Sequence, residues 1–168
     1  MDAGLALARL VFGLLMAAHG TQKLFGWFGG YGLAGTAGFF EALGFRPGRL
    51  FVVTAALTEV ASGLLVAAGL LGPIGPALIV SVMIVAAVSV HAPHGLWAST
   101  NGIEVPLLYG VAGFALALTG SGAYSLDALF GIASIWTPAV TWAALAAGIL
   151  GGIANLVLRS PARAAAAV

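Results

Sequence analysis

The chain alternates long apolar runs with short polar or glycine-rich breaks. Five runs lie near the roughly 20 residues that a helix needs to cross a hydrocarbon core. They fall at 5–24, 50–71, 74–91, 103–119 and 138–158. The break between the second and third, Leu71-Gly-Pro-Ile-Gly-Pro76, predicts a tight turn. Proline cannot continue the incoming helix but suits the first turn of the next. The fourth run is the shortest and carries Pro106 in its first turn. The predicted fold class is all-α, a polytopic transmembrane helical bundle with short interfacial helices.

The connections differ in character. Residues 25–49 crowd Phe25, Trp27, Phe28, Tyr31, Phe39, Phe40 and Phe45 among glycines, and such rings settle at headgroup level. The stretch 31–44, YGLAGTAGFFEALG, predicts a short helix lying at the interface or tucked back into the protein. Residues 92–102 read as an irregular loop. Within 121–137, SLDALF predicts a short interfacial helix capped by Ser125. The end, RSPARAAAAV, reads as a mobile tail.

Composition strengthens this picture. Hydrophobic residues make up 61% of the chain and charged ones 7%, against about a quarter charged in soluble domains. The absence of cysteine removes disulfides, thiol nucleophiles and thiolate metal sites. A net charge of +1 offers nothing to nucleic acid. The start does not resemble a signal peptide, since Asp2 replaces a basic region and Arg9 interrupts the apolar run. The first run is expected to be retained. With five spans, Lys23, Arg46, Arg49, Arg159 and Arg163 fall on one side, and Asp2 and Asp127 on the other. Basic residues stay in the cytoplasm, which predicts the N-terminus outside and the C-terminus inside.

Some polar residues are not explained by lipid. Arg9 lies within the first run, roughly 6–8 Å below its outer end, and Glu59 lies near the middle of the second. Ionised groups at such depth face the bundle interior and carry a partner. At 100° per residue Arg9, Gly13, Met16, Gly20 and Lys23 share one face, with His19 at its edge. Arg9 and Glu59 are therefore expected to pair. Such a pair either fixes helix register or leaves Glu59 as a proton-accepting or ligand-binding carboxylate. A second cluster gathers at the cytoplasmic ends: His19, Gln22 and Lys23 on the first span, His91 and His94 after the third, Asn101 and Glu104 before the fourth. Three readings stay open: histidines bonded to loop carbonyls, a pocket for a quinone headgroup or small polar ligand, and a metal or haem site using His19, His91 and Glu104. Gly148 and Gly152 form a GxxxG pair that permits close helix approach.

Four segments then resemble the DoxX family of small bacterial membrane proteins. RLVFGLLMAAHGTQKLFGWFGG is similar to the family's opening signature. LTEVASGLLVAAGLLG is similar to its second helix, with Glu59 as the acidic residue. VHAPHG is similar to the end of its third helix and NGIEVPLLY to the start of its fourth, with Val105 where an aromatic is common. The resemblance covers roughly 5–129. It implies a four-helix core over 1–130, to which 131–158 adds a transmembrane helix and 159–168 a tail. It also implies residence in the bacterial cytoplasmic membrane and a link to respiratory oxidoreductases and oxidative stress. The family pattern falls on His19, Gln22, Lys23, Glu59, His91 and Glu104.

The expectation is a membrane subunit of a redox system with a pocket at the cytoplasmic ends of the first, third and fourth spans. His19, Gln22, Lys23, His91, His94 and Glu104 would line it. His19 and His91 would hydrogen-bond the ligand, Lys23 would stabilise an anion, and Glu59 or Glu104 would accept protons. No flavin, nucleotide or iron–sulfur motif is present, so the cofactor is open between a quinone, a metal and a haem. Two alternatives stand beside it: a non-catalytic anchor for soluble oxidoreductases, and a small carrier or channel. Lipid is one expected partner, and an oxidoreductase or a second copy of the chain are others.

Overall fold

The computed structural model describes residues 2–160. Among them the secondary structure is helical, without strands. The main helices are α1 (Asp2–Phe25), α2 (Gly32–Ala42), α3 (Gly48–Ala68), α4 (Ile74–Ala86), α5 (Glu104–Thr119), α6 (Leu126–Leu129) and α7 (Pro138–Val157). Helix α4 continues through a wider π-helical turn, Ala87–His91. Four helices are long and apolar enough to cross a membrane, and α5 is a shorter apolar helix between them. The chain is an all-α, multi-pass membrane protein. The predicted tail lies outside the described residues from position 161 onward, and with it Arg163.

The boundaries follow local chemistry. Helix α3 ends at Gly69, which takes the left-handed conformation (φ 62°) that glycine adopts at least cost. The Leu70 N–H then bonds back to the Leu65 carbonyl at 3.0 Å. Ser125 Oγ accepts from the Ala128 N–H at 3.1 Å and so caps α6. Pro138 opens α7 behind Thr137, whose Oγ1 accepts from the Val140 N–H.

Small residues set the helix packing. A Cβ at Gly13 would meet the Gly63 carbonyl and the Ala67 backbone, and one at Gly20 would meet Ala56 and Val60. Helices α1 and α3 therefore run antiparallel with backbones in near contact, as small residues allow in a bilayer. Gly148 and Gly152 do the same for α7 against Ala77 and Ser81 of α4. Between these pairs Met16, Val66 and Ile79 form a buried cluster. Apolar side chains such as Leu7, Leu14, Leu57, Leu108 and Leu150 cover the outer surface.

The bundle has two distinct ends. One gathers Asp2, the 69–73 turn and the 120–137 segment. The other gathers 25–47, 91–103 and residues 159–160, where the Ser160 N–H bonds to the Gly44 carbonyl at 2.9 Å. Lys23, Arg46, Arg49 and Arg159 all lie toward this second end.

Candidate functional site

The pairing of Arg9 with Glu59 does not occur. Glu59 is paired with Lys23, whose Nζ donates to Oε1 at 2.7 Å and to Oε2 at 2.5 Å. The register explains the difference. Arg9 stands beside Gly69, ten residues or roughly 15 Å along α3 from Glu59. Side chains on a helix also lean toward its N-terminus. Arg9 therefore leans away from Glu59, toward the N-terminal end of α1. Lys23 leans back into the bundle, and Glu59, on the antiparallel helix, leans to meet it.

Arg9 is instead held at the opposite end. It is buried and donates to the Ser121 and Tyr124 carbonyls. Asp127, assigned to the outer surface by the sequence reading, is fully buried there. Its carboxylate accepts from the Leu71 N–H at 2.8 Å, the Gly72 N–H at 2.7 Å and Ser121 Oγ at 2.7 Å. The α5–α7 connection is thereby folded over the α3–α4 turn. Sequence reasoning missed this role because a lone aspartate in an amphipathic hexamer looks like a solvated residue.

The Lys23–Glu59 pair borders a cavity of about 670 Å³. Helices α1, α2, α3, α4 and α7 enclose it. Lys23, Glu59, Gln22, Thr58, His91 and Asn155 supply its main polar groups, and Phe39, Phe40, Phe45 and Phe51 an aromatic wall. Of the residues predicted for a pocket, Gln22, Lys23 and His91 reach this wall, whereas His19, His94 and Glu104 do not. The predicted frame also shifts: α5, expected as the fourth span, contributes no lining residue, while α3 and α7 do.

The absent residues are engaged elsewhere. His19 lies on the outer surface of α1, edge-on to Tyr109 of α5, and its Nδ1 donates to Gln22 Oε1 at 3.0 Å. Glu104 Oε2 accepts from the Ala98 N–H at 2.8 Å, and the His94 carbonyl accepts from Thr100 Oγ1 at 3.0 Å, so both organise the 92–103 loop. His91 faces the cavity while its Nδ1 donates to the Asn101 carbonyl at 2.8 Å. His19, His91 and Glu104 thus do not assemble one ligand set. Among the described residues no group of three or more His, Asp or Glu side chains is placed to hold a metal ion.

Two features were not anticipated. Asn155 places an amide on the cavity wall from the last helix, where it donates to the Gly151 carbonyl at 3.0 Å. It is the sole amide in an otherwise apolar run, a signal that was available. The second is the role of α2, the helix predicted within 31–44, which tucks into the protein and closes one side of the cavity. It is anchored at its far end by the Ser160 N–H on the Gly44 carbonyl and by Arg159 Nε, which donates to the Leu43 carbonyl.

An all-helical bundle with several helices long and apolar enough to cross a membrane defines the class as a multi-pass integral membrane protein. The DoxX family model matches residues 4–92, more than half of the chain, and the chain belongs to the DoxX family. No curated protein and no solved structure matches it.

Proposed function

We propose that the protein is the membrane subunit of a redox system, holding a quinone or similar ring-bearing amphiphile in the cavity beside Lys23 and Glu59. One observation carries this reading: an ion pair with a buried carboxylate and a half-buried lysine stands on the wall of an aromatic-lined cavity of about 670 Å³. A cavity of that size and polarity suits a small ligand, apolar over most of its surface with a few convergent polar groups. An ionisable pair inside a membrane is expensive and marks a functional site by default. The ring would lie among Phe39, Phe40 and Phe51, and its polar edge would face Lys23, Gln22 and His91. Electron transfer then requires a partner oxidoreductase, as the DoxX resemblance implies. The basic residues at the cavity end support a cytoplasmic mouth, with both the N-terminus and the Arg9–Asp127 end outside.

The test is direct. Protein purified in mild detergent should release a quinone into organic solvent, detected by mass and ultraviolet absorbance. Ala55→Phe, which fills the cavity from α3, should abolish this while leaving a folded protein. A wild-type protein that is empty, and that binds no added quinone in nanodiscs, would overturn the proposal and favour the anchor reading.

A further inference from the structure

We infer that Glu59 sets the charge preference of the cavity, so that the site takes an uncharged ligand with a carbonyl-type acceptor and rejects an anion. The inference rests on the cavity being the binding site. Lys23 would ordinarily make the pocket attractive to anions, but both oxygens of Glu59 accept from its ammonium at 2.7 and 2.5 Å. The positive charge is therefore compensated before any ligand arrives. An ammonium has three N–H donors, and two are committed to Glu59. One remains to meet a ligand oxygen.

The rest of the wall agrees. Besides Lys23 and Glu59, its only other titratable residues among those described are His91 and Tyr31. His91 donates through Nδ1 to the Asn101 carbonyl, which in the neutral ring leaves Nε2 as an acceptor. Tyr31 is 87% exposed and sits at the mouth. Thr58 and Ser89 spend their hydroxyl protons on the Thr54 and Val85 carbonyls at 2.8 and 2.6 Å, so toward the cavity they too offer lone pairs. The wall is thus neutral in sum, and Lys23 is its one full positive charge among the described residues. A bound anion would lose its hydration and face the Glu59 carboxylate, and the one charged donor left to it, the third Lys23 N–H, is already compensated. An uncharged carbonyl compound would use the same donor without that cost.

The experiment compares menadione, which is uncharged, with 2-hydroxy-1,4-naphthoquinone, a near-isosteric anion at neutral pH. Binding is measured by calorimetry in nanodiscs, with partition into empty nanodiscs subtracted. Wild type should bind menadione at least about tenfold more tightly, a ratio within reach of one charge-assisted contact. Glu59→Gln should leave Lys23 uncompensated and shift the ratio toward the anion by about tenfold or more. The double variant Lys23→Gln, Glu59→Gln is neutral again and should restore preference for menadione; Lys23→Gln alone leaves the carboxylate uncompensated and should widen that preference, so a ratio unmoved by whichever single variant folds overturns the inference. An anion bound as tightly as menadione by wild type overturns the inference and leaves the cavity as the site. Binding of neither compound by any variant overturns the site itself.

Discussion

Lys23 reaches back along α1 to Glu59, four residues deeper in the bundle, and closes a salt bridge on the wall of the cavity. A lysine at the end of a membrane helix ordinarily extends toward the headgroups, with its stem left in the apolar region. Here the antiparallel packing of α1 and α3 reverses that. Gly20 on Ala56 fixes the two helices so closely that the ammonium and the carboxylate share one depth. Glu59 is 4% exposed and Lys23 24%, so the carboxylate depends on the lysine more than the lysine on it.

That asymmetry gives the first prediction. Lys23→Met should destabilise the protein by about 3–5 kcal/mol, the range for leaving one member of a buried pair unpaired. Glu59→Gln should cost less, because Lys23, at 24% exposure, is far less desolvated in place than the carboxylate. The double change should cost less than the sum. Thermal unfolding in detergent reads all three. Strict additivity would mean that the pair contributes no coupling energy. Arg9→Ala combined with Glu59→Gln should be additive, since these residues belong to opposite ends.

The second prediction concerns the Arg9–Asp127 end. Asp127→Ala removes acceptors from two backbone N–H groups and from Ser121 Oγ. Hydrogen bonds to charged groups contribute about 1.5–3 kcal/mol each, so a loss of several degrees in unfolding midpoint is expected. Ligand binding at the far cavity should be unchanged. A wild-type midpoint for Asp127→Ala would show that the 120–137 segment is not held by this carboxylate.

Orientation is tested by reporter fusion. Alkaline phosphatase joined after Val168 should be inactive, and joined after Gly122 it should be active in the periplasm. The opposite pattern would invert the bundle and place the cavity mouth on the outer face.

The fourth prediction concerns the cover over the cavity. The chain has no native cysteine, so a single Thr36→Cys on the buried face of α2 reports access cleanly. A maleimide should label it slowly, and Arg159→Ala, which removes a donor to the Leu43 carbonyl, should raise that rate several-fold. Labelling that ignores Arg159 would show α2 to be held by its other contacts alone, including the Gly48 N–H on Glu41 Oε1 at 3.0 Å.

Much of the fold was legible because its causes are local. Apolar runs, prolines at 73, 76 and 138 and the Ser125 cap act within a few residues, and the helices start and stop beside them. The buried face of α1, with Arg9, Gly13, Met16 and Gly20, was likewise legible from helical periodicity. The residues carrying chemistry could also be picked out singly, since lipid leaves an arginine, a glutamate or a histidine without a bland explanation.

Which of them meet was not legible. A sequence gives the position of Glu59 along α3 but not the vertical offset between α3 and α1. That offset is set by backbone contacts at Gly13, Gly20 and Gly63, where small residues admit close approach. With that register Glu59 falls to Lys23, and Arg9 falls to the carbonyls of a loop more than a hundred residues away. The same register leaves His19 outside the cavity, on the outer surface against Tyr109, and brings Asn155 in from α7. The sequence alone determined the helices and the polar residues they carry through the bilayer. Their partners were decided only by tertiary packing, because a side chain pairs with what stands at its own depth and on its own side of the bundle.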